Sequence, residues 1–440
     1  MRTSWLTKIT AATAALMLTA AACGGGESNK ARPAAAEQGS ATTSKLLLWS
    51  EGIDHKDLYG GSLARFNAAN PKSPISLQIY ENDSYKKMLQ HDLTRPGAPD
   101  LFFNWGAANL KSLVDRGLVA DITDELAADP SWKSRYLPST LEAVTFNGRT
   151  YGVPMLSMQP VSFLYNKKAF ARIGARPPKT LDDLFALIPR FQAKGITPVA
   201  LAGKQPWTEL MWMEYLVDRF GGPDVFRRIQ RGDTTGWRDP AIRRAAETIR
   251  RLVDAGAFGK KFSSVSYDDH DPVNMLSSGH AAMELMGSWE YVVLLELAPG
   301  FVKNNDVGWF PFPRVAGGKG NPLDVVGNPS NFYSIRAASP HRKAAVNYLK
   351  ALAADKNYQS WLVQHGEVPA LKGVAGQLSH SDSAGWLNFV YSLATTAPHF
   401  QLSWDQAVEP ATADVILDDL DQLFEKKIGP DAFVRALSLS

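Results

Sequence analysis

The sequence predicts a two-lobe α/β fold, each lobe a mainly parallel sheet flanked by helices, with a ligand cleft between the lobes. Three observations carry that expectation. At 440 residues the chain is too long for one ordinary core, and two domains of roughly 150–200 residues suit it. From Lys45 to Phe103, apolar strands alternate with helical stretches in β-α-β-α-β order, which implies parallel pairing through right-handed crossovers. Finally, Val161-Ser162-Phe163-Leu164-Tyr165 is a short run of β-branched and aromatic residues, the pattern of a strand buried on both faces. Gly152 and Pro154 before it, and Pro177-Pro178 after it, break helices. The run reads as the strand that carries the chain out of one lobe and into the other. Gln159 beside it then sits near the mouth of a cleft, because α/β sheets bind ligands at their carboxyl edges.

Residues 1–23 read as an export signal. Arg2 and Lys8 make a basic start, and Ile9–Ala22 is apolar and uncharged but too short to span a bilayer. Ala20-Ala21-Ala22 then precede Cys23, the only cysteine in the chain, in an arrangement that resembles a bacterial lipobox. A lone thiol in an exported protein calls for an explanation, and lipidation of Cys23 supplies one. The competing reading is an ordinary small-residue cleavage site with an incidental cysteine. Residues 24–44, rich in Gly, Ala, Ser, Thr and Pro, form no core and read as a flexible tether. Loss of Arg2 and Lys8 with the leader takes the net charge from +3 to +1, so the basic footprint of a nucleic-acid binder is missing. Hydrophobic residues at 45% and charged residues at 21% are those of a globular chain.

Lys45–Trp49 is the first strand, Leu58–Asn70 a helix, and Ile75–Tyr80 an alternating strand. Ser84–Leu93 follows as a helix with Ser84 in the N-cap position. Pro99–Phe103 is the next strand, ending in Asn104-Trp105-Gly106. Glu51, Asn104 and Trp105 therefore fall just past strand ends, where a ligand binds. Beyond the crossover, Leu181–Lys194 and Glu209–Phe220 are helices, with the strand Ile196–Leu201 and the turn Lys204-Gln205-Pro206-Trp207 between them. Ile242–Gly256 is helical, and its Arg243, Arg244, Arg250 and Arg251 read as a solvated face rather than a phosphate site. Gly279–Trp289 is a strand ending in glycine and tryptophan, where the glycine permits close approach of backbone and ligand. Asn331–Ile335 reads as the return strand, and Phe400–Trp404 as a loop. The Asp268–Asp271 cluster reads as an exposed loop rather than a calcium site. No segment after the leader reaches the ~18 uninterrupted apolar residues of a membrane span.

YGVP…VSFLYNKKAF (Tyr151–Phe170) resembles the interdomain segment of family 1 extracellular solute-binding proteins, the sugar-capturing subunits of bacterial ABC importers. Pro99–Phe103 is similar to that family's first ligand edge, Leu118–Ile122 to its connector, and Gly279–Trp289 to its G-x-A-A-M-x-x-x-G-x-W signature. The resemblance implies a class II periplasmic-binding-protein-like fold. It also implies an oligosaccharide ligand, delivery to the transmembrane permease subunits of an ABC transporter, and a monomer held at the outer face of the cytoplasmic membrane by its lipid anchor. The lobes are expected at 45–158 plus 335–375 and at 159–334 plus 376–440.

A sugar ring offers an apolar C–H face and a belt of hydroxyls, which aromatic rings and amides or carboxylates can match. Of twelve tryptophans, Trp105, Trp207, Trp289 and Trp404 are the candidate stacking residues. Trp132, Trp361 and Trp386 are assigned to packing. Glu51, Asn104, Gln159, Glu290 and Asn331 are the candidate hydroxyl partners. The eight histidines are scattered, without HExxH, GxSxG or a complete P-loop, so no metal, cofactor or catalytic residue is expected. Two rivals stay open: an extracellular glycosidase, which needs a carboxylate pair across the cleft, and a binder of non-sugar solutes. Within sugars, the aromatic count favours a di- or trisaccharide over a monosaccharide, and a β-linked xylo-, cello- or chito-oligosaccharide is the first expectation.

Overall fold

A computed structural model of the chain describes residues 46–51 and 55–438. The expected leader, its Cys23 and the tether lie outside them. In chain order the strands are β1 Leu46–Glu51, β2 Ile75–Tyr80, β3 Leu101–Asn104, β4 Thr145–Phe146, β5 Arg149–Thr150, β6 Val153–Pro154 and β7 Gln159–Asn166. They continue with β8 Thr197–Ala200, β9 Ala281–Gly287, β10 Val307–Phe310, β11 Val325–Asn328, β12 Phe332–Ile335 and β13 Phe400–Leu402.

The first sheet has the order β2-β1-β3-β12-β6 and the second β13-β11-β7-β9-β8, with β10 also paired to β7. Helices flank both, so the two-lobe α/β arrangement is as the sequence predicts. The pairing is not mainly parallel, however. β1 runs parallel to β2 and β3, β8 to β9 and β11 to β13, but β12 runs against β3 and β6. β7 opposes all three of its partners, β9, β10 and β11. The reason is topological: β6–β7 leave the first sheet for the second, β11–β12 come back, and an outgoing and a returning pass side by side must be antiparallel. β7 is nonetheless buried along nearly all its length, because strands cover both edges and helices both faces.

The apolar residues sort into separate clusters. Leu48, Tyr59, Phe102, Leu110, Phe332 and Leu349 belong to the first lobe's core. Phe163, Trp212, Leu216, Ile249, Met283 and Phe424 belong to the second's. A third cluster joins Met158 and Leu164 to Tyr291, Val368 and Trp386. Local signals agree with this packing. The helix Leu181–Gln192 opens on a capping box formed by Thr180 and Asp183, and Asp239 caps Pro240–Asp254 through the Ala241 N–H at 2.9 Å. On that helix Arg244 lies over the Phe220 ring at 4.2 Å and Arg251 over Phe185 at 4.7 Å, while Arg243 pairs with Glu247 and Asp431. Those arginines cover apolar surface with their stems. Two expectations shift: the second helix starts at Asn82 with Glu81 as its N-cap, not Ser84, and Phe400–Leu402 is an edge strand, not a loop. No described helix is long and apolar enough to cross a membrane.

The chain passes between the sheets as a ribbon. Val153 pairs with Tyr333 and Pro154 with Phe332 in the first sheet, and the Met155 N–H reaches the Asn331 carbonyl at 2.8 Å. Gln159 then pairs with Asn328 and Pro160 with Gly327 in the second. The return crossing is therefore at residues 329–331, and the boundary expected at 334/335 falls inside β12. A third pass runs alongside, with Met158 N–H to Val368 O at 2.9 Å and Ala370 N–H to Leu156 O at 3.3 Å.

At the ribbon's tightest point Gly327 has φ 141°, and a Cβ there would run into the Gln159 carbonyl. Gly327→Ala is expected to lower stability by about 2 kcal/mol or more through backbone strain and displaced strand pairing. A urea midpoint equal to wild type would contradict this.

Candidate functional site

A cleft lies between the two sheets, counted to its open mouth as about 860 Å³ of empty space, within the range of small-molecule sites. The first lobe contributes His55, Asn82, Lys86 and Trp105. The second contributes Trp207, Met211, Tyr267, Trp289, Ser403, Asp405 and Gln406. The crossing ribbon supplies the floor: Leu156, Gln159, Val161, Gly327, Asn328 and Asn331.

Trp105 follows β3 immediately, and the chain then turns at Gly106, φ 75°, where a Cβ would meet the Ala143 carbonyl and the Phe332 ring. Its ring stands edge-on to Phe103, centroids 5.1 Å apart, with Lys86 Nζ 5.1 Å from its own centroid. Trp207 sits in the first turn of the helix Pro206–Gly221, behind a proline suited to that position. It meets Tyr267 edge-to-face at 4.8 Å and lies 6.3 Å from Trp289. The indole Nε1 of Trp207 is buried without a hydrogen-bond partner, as is Asn331 Oδ1. Such groups favour a ligand that can pair with them. Gly287 has a different use from the one expected: a Cβ there would fall inside the Trp289 ring, so the glycine makes room for the tryptophan itself.

Of the sequence-predicted residues, Trp105, Gln159, Trp207, Trp289 and Asn331 come together in the cleft. Three do not. Trp404 is fully buried, stacked on Phe226 at 4.6 Å and edge-on to Trp237 at 5.6 Å, so it is a core residue; its neighbours Ser403, Asp405 and Gln406 face the cleft instead. Asn104 is fully buried and spent on structure, donating to Ser334 Oγ at 2.9 Å and accepting the Gly106 N–H at 3.0 Å. Glu290 is buried behind the cleft wall, where its Oε2 accepts from Tyr267 Oη at 3.1 Å. The backbone of Glu51 ends β1, but its side chain lies outside the described residues. Trp132, Trp361 and Trp386 do not line the cleft; Trp132 donates to Tyr136 Oη, and Trp386 stacks on Tyr291.

Sequence reasoning missed Tyr267, Lys86, His55 and Asp405. Tyr267 is positioned by Gln205, whose Oε1 accepts the Tyr267 N–H at 2.8 Å and whose Nε2 donates to Asp268 at 3.0 Å. The Tyr-Asp-Asp-His-Asp stretch was the available signal, and its acidic residues scaffold the loop that presents the tyrosine. Lys86 and Asp405 meet across the cleft, Nζ to Oδ2 at 2.9 Å. His55 pairs with Glu367 at 3.0 Å, and Ser157 Oγ donates to the same carboxylate at 2.7 Å. No group of His, Cys, Asp and Glu able to hold a metal ion occurs among the described residues.

Buried carboxyls stand behind the second lobe's wall. Glu214 is pushed up to about 8, first by burial and then by the Asp405 charge, against the pull of the Trp404 N–H at 2.6 Å and Ser403 Oγ at 3.0 Å. Glu284 is raised well above its ordinary value by burial and by the neighbouring charge of Glu290. Asp268 is raised by burial and by Asp83 from the other lobe.

A model of the bacterial extracellular solute-binding protein family matches residues 54–359, more than half of the chain. An uncharacterised ABC transporter extracellular-binding protein of Pyrococcus horikoshii is 24% identical over 389 residues, covering 84% of this chain and 86% of its own. A multiple sugar-binding protein of Streptococcus mutans is 27% identical over 258 residues, 58% of either chain. Among solved structures, one from work on xylan utilisation by Caldanaerobius polysaccharolyticus superposes with a TM-score of 0.82 at 25% identity, covering 90% of this chain and 99% of that one.

The protonated Glu214 anchors the turn that carries Ser403, Asp405 and Gln406. A carboxyl with a raised native pKa gives stability that is complete below its unfolded value and is lost as pH rises toward about 8. The wild type is therefore expected to lose stability between pH 5 and pH 8, with Glu214 accounting for a part on the order of 2–4 kcal/mol. Denaturant titrations of Glu214→Gln across that range should show a shallower decline; a slope equal to wild type would refute the assignment.

Proposed function

The chain belongs to the bacterial extracellular solute-binding protein family, and on that footing we propose that it captures a short oligosaccharide for an ABC importer. It holds the sugar between its lobes and hands it to the permease unchanged. The observation that carries this reading is the distribution of aromatic rings: Trp105 on one wall faces Trp207, Tyr267 and Trp289 on the other, above a floor of the amides Gln159, Asn328 and Asn331. Rings cover the C–H faces of a pyranose and amides match its hydroxyls, so the lining is complementary to a carbohydrate and to few other solutes. The sugar-binding name of the Streptococcus mutans relative and the xylan context of the Caldanaerobius structure point the same way. A β-linked xylo-, cello- or chito-oligosaccharide of two or three units is the proposed ligand.

Export, lipidation at Cys23 and a monomer tethered to the outer face of the cytoplasmic membrane complete the proposal. The glycosidase rival needs two carboxyls about 5–10 Å apart across the scissile bond. The Glu284–Glu290 pair is buried away from the cleft lining, which supports binding over hydrolysis. Incubation with xylo- and cello-oligosaccharides that releases shorter products would favour the enzyme instead.

A thermal-shift panel of these sugars tests the ligand class, since a ligand at ~100 times its Kd adds ~2.7 kcal/mol of stability. If only charged solutes such as polyamines or peptides stabilise the protein, the sugar reading fails. Trp207→Ala and Trp289→Ala should each weaken sugar binding by roughly tenfold to a hundredfold at near-wild-type stability. Trp404→Ala should instead cost about 3–5 kcal/mol of stability, as loss of a buried indole does.

A further inference from the structure

Lys86 lies on the helix Asn82–Asp92, whose Tyr85 and Leu89 are part of the first lobe's core. Asp405 lies on the short helix Trp404–Ala407, whose Trp404 is part of the second lobe's core. Their 2.9 Å ion pair therefore joins the two lobes at the wall of the ligand cleft. We propose that Lys86 and Asp405 form an interlobe latch at the cleft wall, so that retention of an uncharged ligand depends on two charges that belong to the protein.

The environment of the pair supports this role. Only 6% of the Asp405 side chain and 26% of the Lys86 side chain are exposed, so salt and water screen the pair far less than a surface ion pair. Lys86 also rests above the Trp105 ring, which fixes its direction and joins the latch to a cleft aromatic. The charge pattern repeats along the same seam. The helix carrying Asp405 packs against the first-lobe helix Ala107–Asp115, and Lys111 there is held above its ordinary pKa by Asp115 and, further off, by Glu409. First-lobe lysines thus face second-lobe carboxylates. At another point across the lobes the signs are alike, where Asp83 of the first lobe acts on Asp268 of the second. Attraction is concentrated at the seam that Asp405 and Glu409 occupy. Opening the lobes would separate the two charges and forfeit an attraction that the low exposure of the pair strengthens.

The inference rests on the sugar reading only for its binding arm, so the test has two arms. Small-angle scattering of the ligand-free full chain is measured for wild type, Lys86→Glu, Asp405→Lys and the double exchange, with Lys86→Gln as a milder variant. Calorimetry with xylotriose, cellotriose and chitotriose is run on the same proteins. Each single charge reversal should enlarge the radius of gyration and weaken the bound trisaccharide by roughly tenfold or more. Lys86→Gln should follow in the same direction, and the double exchange should restore both readouts. Unchanged scattering in every single variant, or a double exchange that restores nothing, overturns the latch. A wild type that binds none of the three sugars while its reversal variants still expand overturns the sugar reading and upholds the latch.

Discussion

The antiparallel ribbon between residues 153–160 and 327–333 sets the geometry of everything else. Among the described residues it is the stretch in which one pair of chain passes is strand-paired in both sheets, with residues 156–158 between them paired to 368–370 instead. Its spacing is dictated at Gly327, where no side chain fits against the Gln159 carbonyl. Gln159, Asn328 and Asn331 line the front cleft, whereas Met158 and Pro329 line a second hollow, beside Phe146 and Phe400. The amides of the floor are thus placed by backbone pairing rather than by loop conformation. That is the rigid kind of support a binding site needs.

Much of this was legible in the sequence because it depends on local pattern. The run Val161–Tyr165 is apolar on both faces, and a strand of that kind has to lie inside a sheet. Its direction was not legible, since burial on two faces says nothing about whether neighbours run with or against it. The same distinction separates the sequence-assigned residues that reach the cleft from those that do not. Trp105 and Trp289 follow strand ends at which a glycine forces a turn or a close approach, so sequence position fixes which way they face. Asn104 and Trp404 stand one residue away from cleft-lining neighbours, and in extended or tightly turned backbone one residue is the difference between core and cleft. Lys86 had no local signal, and Tyr267 had only the acidic stretch that follows it. Their place in the site comes from contacts with Asp405 and Gln205, far away in sequence.

The two walls of the cleft are held by different physics. On the second lobe, Tyr267 donates to the buried Glu290, and the Ser403–Gln406 turn hangs from the protonated Glu214. Buried carboxyls in an apolar core fix the direction of these groups because their hydrogen bonds have no competing water. On the first lobe, Trp105 is held by ring packing against Phe103 and by the Lys86 cation. Ring contacts and a flexible lysine tolerate rotation of the lobe in a way that buried hydrogen bonds do not.

This asymmetry assigns the lobes different tasks. Three of the four cleft aromatics, Trp207, Tyr267 and Trp289, belong to the second lobe and contact or neighbour one another there whether or not the first lobe is near. On the proposed sugar reading, that wall is already formed when the lobes are apart, so a ring can stack on it before closure. What the first lobe adds is Trp105 on the opposite face and a charge that meets Asp405. The second lobe therefore supplies the preorganised surface, which decides what is recognised, and the first supplies contacts that exist only once the lobes have met. Ligand selection and ligand retention are then separable properties, carried by different residues of one cleft.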